Sequence, residues 1–433
     1  MLKKQTDFSP RLTFPHNVGV VLAVNALPDV YLVLDGPGCS FYRAMQVHGR
    51  HDWTSTLLSC TGYHRFQYAG ISANTIATDS AEMIGDVIRR TAALDACGAL
   101  LVTALPMCTI AGTDYDRLLR AARSKKPGFV IKGTSLSGNW LDGYEAVLQT
   151  LASGMDLSGG RRRKNDVAII GHFMDRGEGD QRGNLAELKR MCAALDLNPV
   201  AIWPSGVSYE RLREVRRAST IISLPHGRRA AATLAKRLRA KLVDTELPFG
   251  LRGTQSWLRK VAAATGRKAA AEAFIENELD RITPRLEWAV PFAFLHKKIV
   301  FQGDPHLLDG LRGACEDLGM RLAAAYLSGR RPAGGQAAAG VHYEPHVSEL
   351  RADWANRAAD TDLFIGNTDA LSMLKPDGAW MEFGFPSVWT HFLKDEPYLG
   401  CNGFIAFADR MNQALNGRKA VSHWTTGALE EAR

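Results

Sequence analysis

The stretch Val30-Tyr31-Leu32-Val33-Leu34-Asp35-Gly36-Pro37-Gly38-Cys39-Ser40-Phe41-Tyr42-Arg43 decides the fold class of this chain. Its first half is a short, unbroken apolar run rich in β-branched and aromatic residues, which reads as a strand buried on both faces and hence as part of a parallel sheet. The Gly-Pro-Gly that follows makes a tight turn and lets the backbone pass close to a bulky group. The residues after it take up a helical start.

Outward from this unit the same alternation repeats. Strands are expected at 30–35, 56–59, 99–104 and 129–134, with helices between them, as at 80–94. After the polar stretch 158–165 a second series is expected at 167–171, 199–203, 220–224 and 241–246. A long helical segment, 268–288, leads to a third at 298–303, 321–327, 362–366 and 380–385, interrupted by a Gly/Ala/Pro-rich loop at 329–340. Strands separated by helices imply parallel sheets with crossover helices. The expected fold is therefore α/β: three Rossmann-like doubly wound parallel-sheet domains at 1–164, 165–290 and 291–415, with a tail at 416–433.

Composition sets the class. A chain of 433 residues that is 46% hydrophobic and 23% charged is an ordinary globular protein of several modules. No apolar signal segment follows Lys3-Lys4, and the most apolar stretch, 96–112, is short and contains Pro106, so a cytoplasmic protein without a membrane partner is expected. The net charge of +8 includes the run Arg161-Arg162-Arg163-Lys164, but the other cations are spread over helical stretches with no accompanying aromatic comb. That is a solvated surface and excludes nucleic acid as the expected partner.

The dipeptide Gly-Lys is absent, so no Walker A loop is present to grip ATP, and Gly177-Glu178-Gly179-Asp180 reads as an acidic loop. His342 and His346 stand four apart, but Pro345 between them argues against a helical zinc pair. Neither a Gly-x-Ser-x-Gly elbow nor a His-Glu-x-x-His helix occurs, which removes hydrolase readings.

Ligands of open α/β sheets bind beyond the carboxyl ends of the strands. Three such ends carry the informative residues: Gly36-Pro37-Gly38-Cys39, Leu105-Pro106-Met107-Cys108 and Leu224-Pro225-His226-Gly227. The seven cysteines form no CxxC, so a metal site would be assembled from distant segments. Cys39 and Cys108 each open a helix, a position that lowers a thiol pKa and favours ligation. Cys60 is expected at the end of a strand as well. Cys97, Cys192 and Cys315 fall where core residues are expected. A lone cysteine also reads as a small buried hydrophobe, but two at equivalent strand ends of one sheet point to a shared role.

The segment from Leu34 to Arg43 resembles the glycine-proline-cysteine turn of the nitrogenase component 1 family. Thr78-Asp79-Ser80-Ala81-Glu82-Met83-Ile84-Gly85-Asp86 resembles the segment that follows it. Leu105-Pro106-Met107-Cys108-Thr109-Ile110-Ala111-Gly112-Thr113-Asp114 is similar to the second cluster-cysteine motif, 69 residues beyond Cys39. Ala168-Ile169-Ile170-Gly171 with Asn184-Leu185-Ala186-Glu187, then Val300-Phe301-Gln302-Gly303-Asp304-Pro305, resemble the openings of the second and third domains. Pro397-Tyr398-Leu399-Gly400-Cys401-Asn402-Gly403-Phe404 resembles the closing turn and helix.

The resemblance implies a subunit of a two-component reductase that receives electrons from a dimeric, ATP-hydrolysing iron protein. It implies an iron-sulfur cluster, [4Fe-4S] or larger, shared with a homologous companion in a heterodimer or heterotetramer, with Cys39, Cys108 and Cys60 as this chain's ligands. The family's usual earlier cysteine is absent, since residues 14–18 read Phe-Pro-His-Asn-Val. At the two places where a catalytic subunit would hold a large metal cofactor stand His226, in place of a cysteine, and His391. These departures imply a β-type subunit, with any additional iron-sulfur metal cofactor in the companion. The substrate classes implied are dinitrogen, tetrapyrrole double bonds and carbon-sulfur bonds. The alternative implied by the same family is a non-catalytic scaffold for cofactor assembly. A metal-free small-ligand binding protein is the reading that owes nothing to the resemblance.

Overall fold

Within each of the three sheets the first strand lies inside, and the strands that follow are laid to either side of it. A computed structural model of the chain describes residues 7–60, 62–71, 81–109, 111–132, 137–331 and 338–430. Residues 78–80 of the second family-like segment, Ile110, 133–134 of an expected strand and 332–337 of the expected loop lie outside the described residues.

The first sheet has the order β2-β1-β3-β4, with β1 at Val30–Asp35, β2 at Phe66–Tyr68, β3 at Ala99–Ala104 and β4 at Gly128–Val130. The second has the order β6-β5-β7-β8, from β5 (Asp166–Ile170), β6 (Asn198–Trp203), β7 (Thr220–Ser223) and β8 (Lys241–Asp244). The third runs β11-β10-β9-β12-β13, from β9 (Lys298–Gly303), β10 (Arg321–Leu327), β11 (Val341–Tyr343), β12 (Leu363–Gly366) and β13 (Ala379–Glu382). All the ladders are parallel. The winding direction therefore reverses beside β1, β5 and β9, and a crevice opens at the C-terminal end of each.

The chain divides into two compact units. One comprises residues 14–246 with 260–267 and holds the first two sheets; the other comprises the segment ending at Thr13, residues 247–259 and the chain from Lys268 onward, and holds the third. In the first unit β1 is buried along its whole length, as its apolar run requires. Tyr31, Val33, Leu100 and Val102 pack on Ile84 and Ile88 of the helix Ala81–Ala92. The helix His16–Asn25, buried at every position but Asn17, meets the helix Trp140–Gly154 backbone to backbone. A Cβ on Gly19 would fall 1.6 Å from the Trp140 carbonyl oxygen, and one on Gly143 would fall 1.9 Å from that of His16. In the other unit Val300, Tyr326, Phe364, Leu350, Trp354 and Leu371 share a core on one face of the third sheet.

One expected strand is replaced. Residues 56–59 are irregular, and the edge strand is Phe66–Tyr68. The Leu57 carbonyl accepts from the amides of Arg65 and Phe66, and the buried Arg65 guanidinium takes both the carbonyl and the hydroxyl of Thr56. With its polar groups satisfied locally, the 56–59 segment needs no ladder. Phe66 instead registers with Leu32 of β1. The three-residue edge strand β11 had no sequence signal. The last helix runs Gly400–Glu430, through the residues set apart as a tail. No helix among the described residues is long and apolar enough to cross a membrane.

Candidate functional site

The reversal point of the first sheet carries two copies of one turn. Asp35 of β1 registers with Ala104 of β3, and from that pair the chain reads Asp35-Gly36-Pro37-Gly38-Cys39-Ser40 on one strand and Ala104-Leu105-Pro106-Met107-Cys108-Thr109 on its neighbour. Each proline sits two residues past the register pair and opens a helical turn, Gly38–Ser40 in one copy and Pro106–Thr109 in the other. The hydroxyl after each cysteine closes the turn: Ser40 Oγ donates to the Pro37 carbonyl at 2.8 Å, and Thr109 Oγ1 donates to the Pro106 carbonyl at 2.6 Å. The strands stay coupled beyond the ladder, because the Leu105 amide donates to the Asp35 carbonyl at 2.9 Å. A Cβ on Gly36 would come within 2.8 Å of the Leu105 side chain, so glycine is what lets the turns lie side by side.

The two thiols differ in setting. Cys39 is exposed; Cys108 is buried close to the Asp35 carboxyl, which accepts from the Tyr115 hydroxyl. Burial, then the nearby Asp35 charge, push the Cys108 thiol up to about 12. The expected lowering by the helix start does not hold at Cys108, since one turn of helix is outweighed by desolvation and a facing carboxyl. Burial likewise raises Asp35, against the hydrogen bond it receives from Tyr115, and raises Tyr115.

Cys60 is exposed but does not end a strand; it lies in the irregular loop before β2. That loop abuts the Cys39 helix. The Ser59 amide donates to His64 Nδ1 at 2.9 Å, and the His64 ring lies 5.3 Å from that of Phe41, two residues past Cys39. Tyr42, Met45, Tyr63, Tyr68 and Met107, all on these same segments, are exposed. A sheet edge that presents aromatic and thioether side chains beside two open thiols suits a partner surface.

The model of the nitrogenase component 1 type oxidoreductases matches residues 16–416. The chain belongs to that family. It is 25% identical over 250 residues, 55% of this chain and 44% of the relative, to the nitrogenase iron-iron protein alpha chain of Rhodobacter capsulatus. It is 24% identical over 305 residues, 60% of this chain and 56% of the relative, to the nitrogenase molybdenum-iron protein beta chain of Frankia alni. The matches span about half the length of these curated relatives. Among solved structures it is similar to nitrogenase Cp1 at pH 6.5, with a TM-score of 0.77, 16% identity, and 96% of this chain and 95% of that one covered, which shows a common fold.

Other expected residues are placed away from this edge. His226 follows β7, buried, with its ring 4.7 Å from Phe173 and 6.5 Å from Tyr144. His391, in the unit of the third sheet, is half-buried with Nε2 3.3 Å from the Val388 carbonyl of its own loop. His346 caps the helix Val347–Arg357, and His342 stacks on Tyr326, so they form no pair on a helix. Cys97, Cys192 and Cys315 are buried, with burial pushing their thiols to about 11, 12 and 12.

Two features of this chain's fold were not foreseen. Arg65, buried, donates to the carbonyls of Val24, Leu27 and Val30 and so closes the end of the helix His16–Asn25. Burial lowers it to about 10, still cationic at neutral pH. Further, in the stretch Asp175-Arg176-Gly177-Glu178-Gly179-Asp180, of which Gly177 to Asp180 was expected to be an acidic loop, all four charged side chains are buried. Charge density directly after the apolar strand β5 was the available signal; its partners, far off in sequence, were not legible.

Proposed function

We propose that the chain is a β-type subunit of a nitrogenase-like two-component reductase, holding an iron-sulfur cluster at the edge of its first sheet jointly with a homologous companion. The duplicated Pro-x-Cys turn at the reversal point of that sheet carries the proposal. Its two thiols leave adjacent strands at the same offset, four residues past a register pair. Two cysteines, with Cys60 as a third, fall short of the four protein ligands of an ordinary four-iron cluster, which fits a site completed from another chain. When bound, the cluster supplies one-electron transfer between the iron protein and a reducible substrate bound by the complex.

The protein's own residues have definite tasks in this reading. Ser40 and Thr109 fix the turns that orient the sulfurs. Cys108 would ligate as the thiolate, its proton passing to solvent, and Tyr115 holds the facing Asp35 carboxyl through its hydroxyl. The exposed Tyr42, Tyr63 and Met107 are covered by the companion, excluding water from the site. Dinitrogen, a tetrapyrrole double bond and a carbon-sulfur bond are the substrate classes to assay.

Iron and acid-labile sulfide in the anaerobically purified complex test the proposal. Cys39→Ala should remove most of the iron, and the double replacement of Cys39 and Cys108 should remove it all. Unchanged iron content and spectrum in the double variant would place the cluster elsewhere.

A further inference from the structure

Beyond the cysteine turns, the first unit contains a seam of buried charge that ends in the Cys39 arm. This arm runs from the turn through the helix Phe41–Val47 to a tight bend, where the Asp52 amide donates to the Val47 carbonyl at 2.9 Å. The bend is gripped by the segment between β5 and the helix Gly179–Ala194. His51, fully buried, places Nε2 3.2 Å from Asp175 Oδ2. Asp52 Oδ2 accepts from the Gly177 amide at 3.1 Å and from Asn25 Nδ2 at 2.7 Å, while its other oxygen accepts from the amide and hydroxyl of Thr54. The Trp53 amide donates to Glu178 Oε1 at 3.1 Å.

Behind this layer, Arg176 makes a fork to Asp180 at 2.8 and 3.1 Å, and Gln181 Nε2 donates to Asp175 Oδ1 at 2.6 Å. Every carboxyl in the seam thus meets protein donors. A buried network whose carboxyls are satisfied in this way is rigid, and removing one member strands the others, so such a seam fixes geometry more than it adds stability. The approach is close as well as polar: a Cβ on Gly177 would fall 2.3 Å from Thr54 Oγ1.

We propose that this clasp is a positioning device for Cys39, with His51, Asp52 and Glu178 as positioning residues, resting on the assignment of Cys39 as a cluster ligand. Cys108 is placed by different means: it is buried at the first sheet's own strand end, its amide donating to the Leu105 carbonyl at 2.9 Å. The two thiols are therefore referenced to different parts of the unit. Cys39 is held through the loop after β5 of the second sheet, and the separation of the two sulfurs depends on the seam. Loosening the clasp moves Cys39 and leaves Cys108 in place.

The test uses the full chain, alone and with its companion, as Glu178→Ala, Glu178→Gln and the milder Thr54→Ala, which removes only a surface hydroxyl from Asp52. Hydrogen exchange is followed in residues 41–56 and, as an internal control, in residues 99–109. Glu178→Ala should speed exchange in the first region on the order of tenfold and leave the second unchanged, with Thr54→Ala showing a smaller change of the same pattern. Glu178→Gln, which still accepts from the Trp53 amide, should restore protection. In the complex, Glu178→Ala should alter the paramagnetic resonance signal of the reduced cluster while retaining iron. Equal acceleration in both regions, no acceleration in either, or an unaltered signal with 41–56 loosened would overturn the positioning role. Because exchange needs no metal, a chain that shows the regional response but never carries iron would instead refute the cluster assignment.

Discussion

Ser40 and Thr109 show how little of a site a single residue reveals in sequence. Each is an ordinary hydroxyl after a cysteine, and only the register of Asp35 with Ala104 makes them equivalent. The cysteines themselves were legible because glycine and proline punctuate strand ends for steric reasons that need no partner. Asp35 was not, since its role comes from Cys108 and Tyr115, which reach it from other segments. The same applies to His172, which is buried with Nδ1 3.1 Å from the Pro204 carbonyl. Burial lowers it from 6.5 to about 4, so the folded protein keeps it neutral while the unfolded chain takes a proton below pH 6.5. Its effect is absent above that pH and becomes a loss of stability as pH falls from about 6.5 towards 4, reaching roughly 3 kcal/mol. His172→Asn should flatten the acid limb: urea unfolding at pH 7.5 and at pH 5 should differ less in the variant than in the parent. An identical pH dependence would mean that His172 is protonated in the folded state.

At the level of elements, the three strand series were readable because a strand buried on both faces must be apolar, whatever lies next to it. The misplaced element, 56–59, is apolar only at Leu57 and Leu58; Arg65 satisfies its backbone, and the ladder forms ten residues later, at Phe66 to Tyr68. A single buried cation overrode local propensity, and nothing in the spacing announces such an event. The crossing of the helices His16–Asn25 and Trp140–Gly154 was equally hidden, although it depends on two glycines. There the added methyl of Gly19→Ala would meet the Trp140 carbonyl oxygen at 1.6 Å, and backbone cannot yield as a side-chain tip can. We expect Gly19→Ala to cost more than about 3 kcal/mol or to prevent folding. Gly417→Ala, in the helix Gly400–Glu430 with nothing within 4 Å, should instead gain about 0.5–1 kcal/mol. Chemical denaturation of the two variants against the parent measures both, and equal effects would mean that the helices do not cross as described.

For the whole molecule the decisive quantity is the number of ligands that one chain brings to a cluster. The edge of the first sheet offers Cys39 and Cys108 on adjacent strands and Cys60 on the neighbouring loop, and the exposed aromatic residues around them are a poor surface to leave in water. A four-iron cluster bound by two or three thiols would keep an open iron position and react with oxygen and solvent. A homologous companion related by a pseudo-twofold axis would bring a second set of strand-end cysteines to the same place and cover the aromatic residues. Expressed without that companion, the chain should therefore be iron-poor and prone to associate through this edge. Expressed with it, the two should co-purify as a heterodimer or its doubled form, with iron and sulfide in stoichiometric amounts. Mass and metal content of the two preparations decide the matter. A stable monomer carrying a full cluster would defeat the shared site, and a cluster-bearing homodimer would show that this chain serves as its own companion.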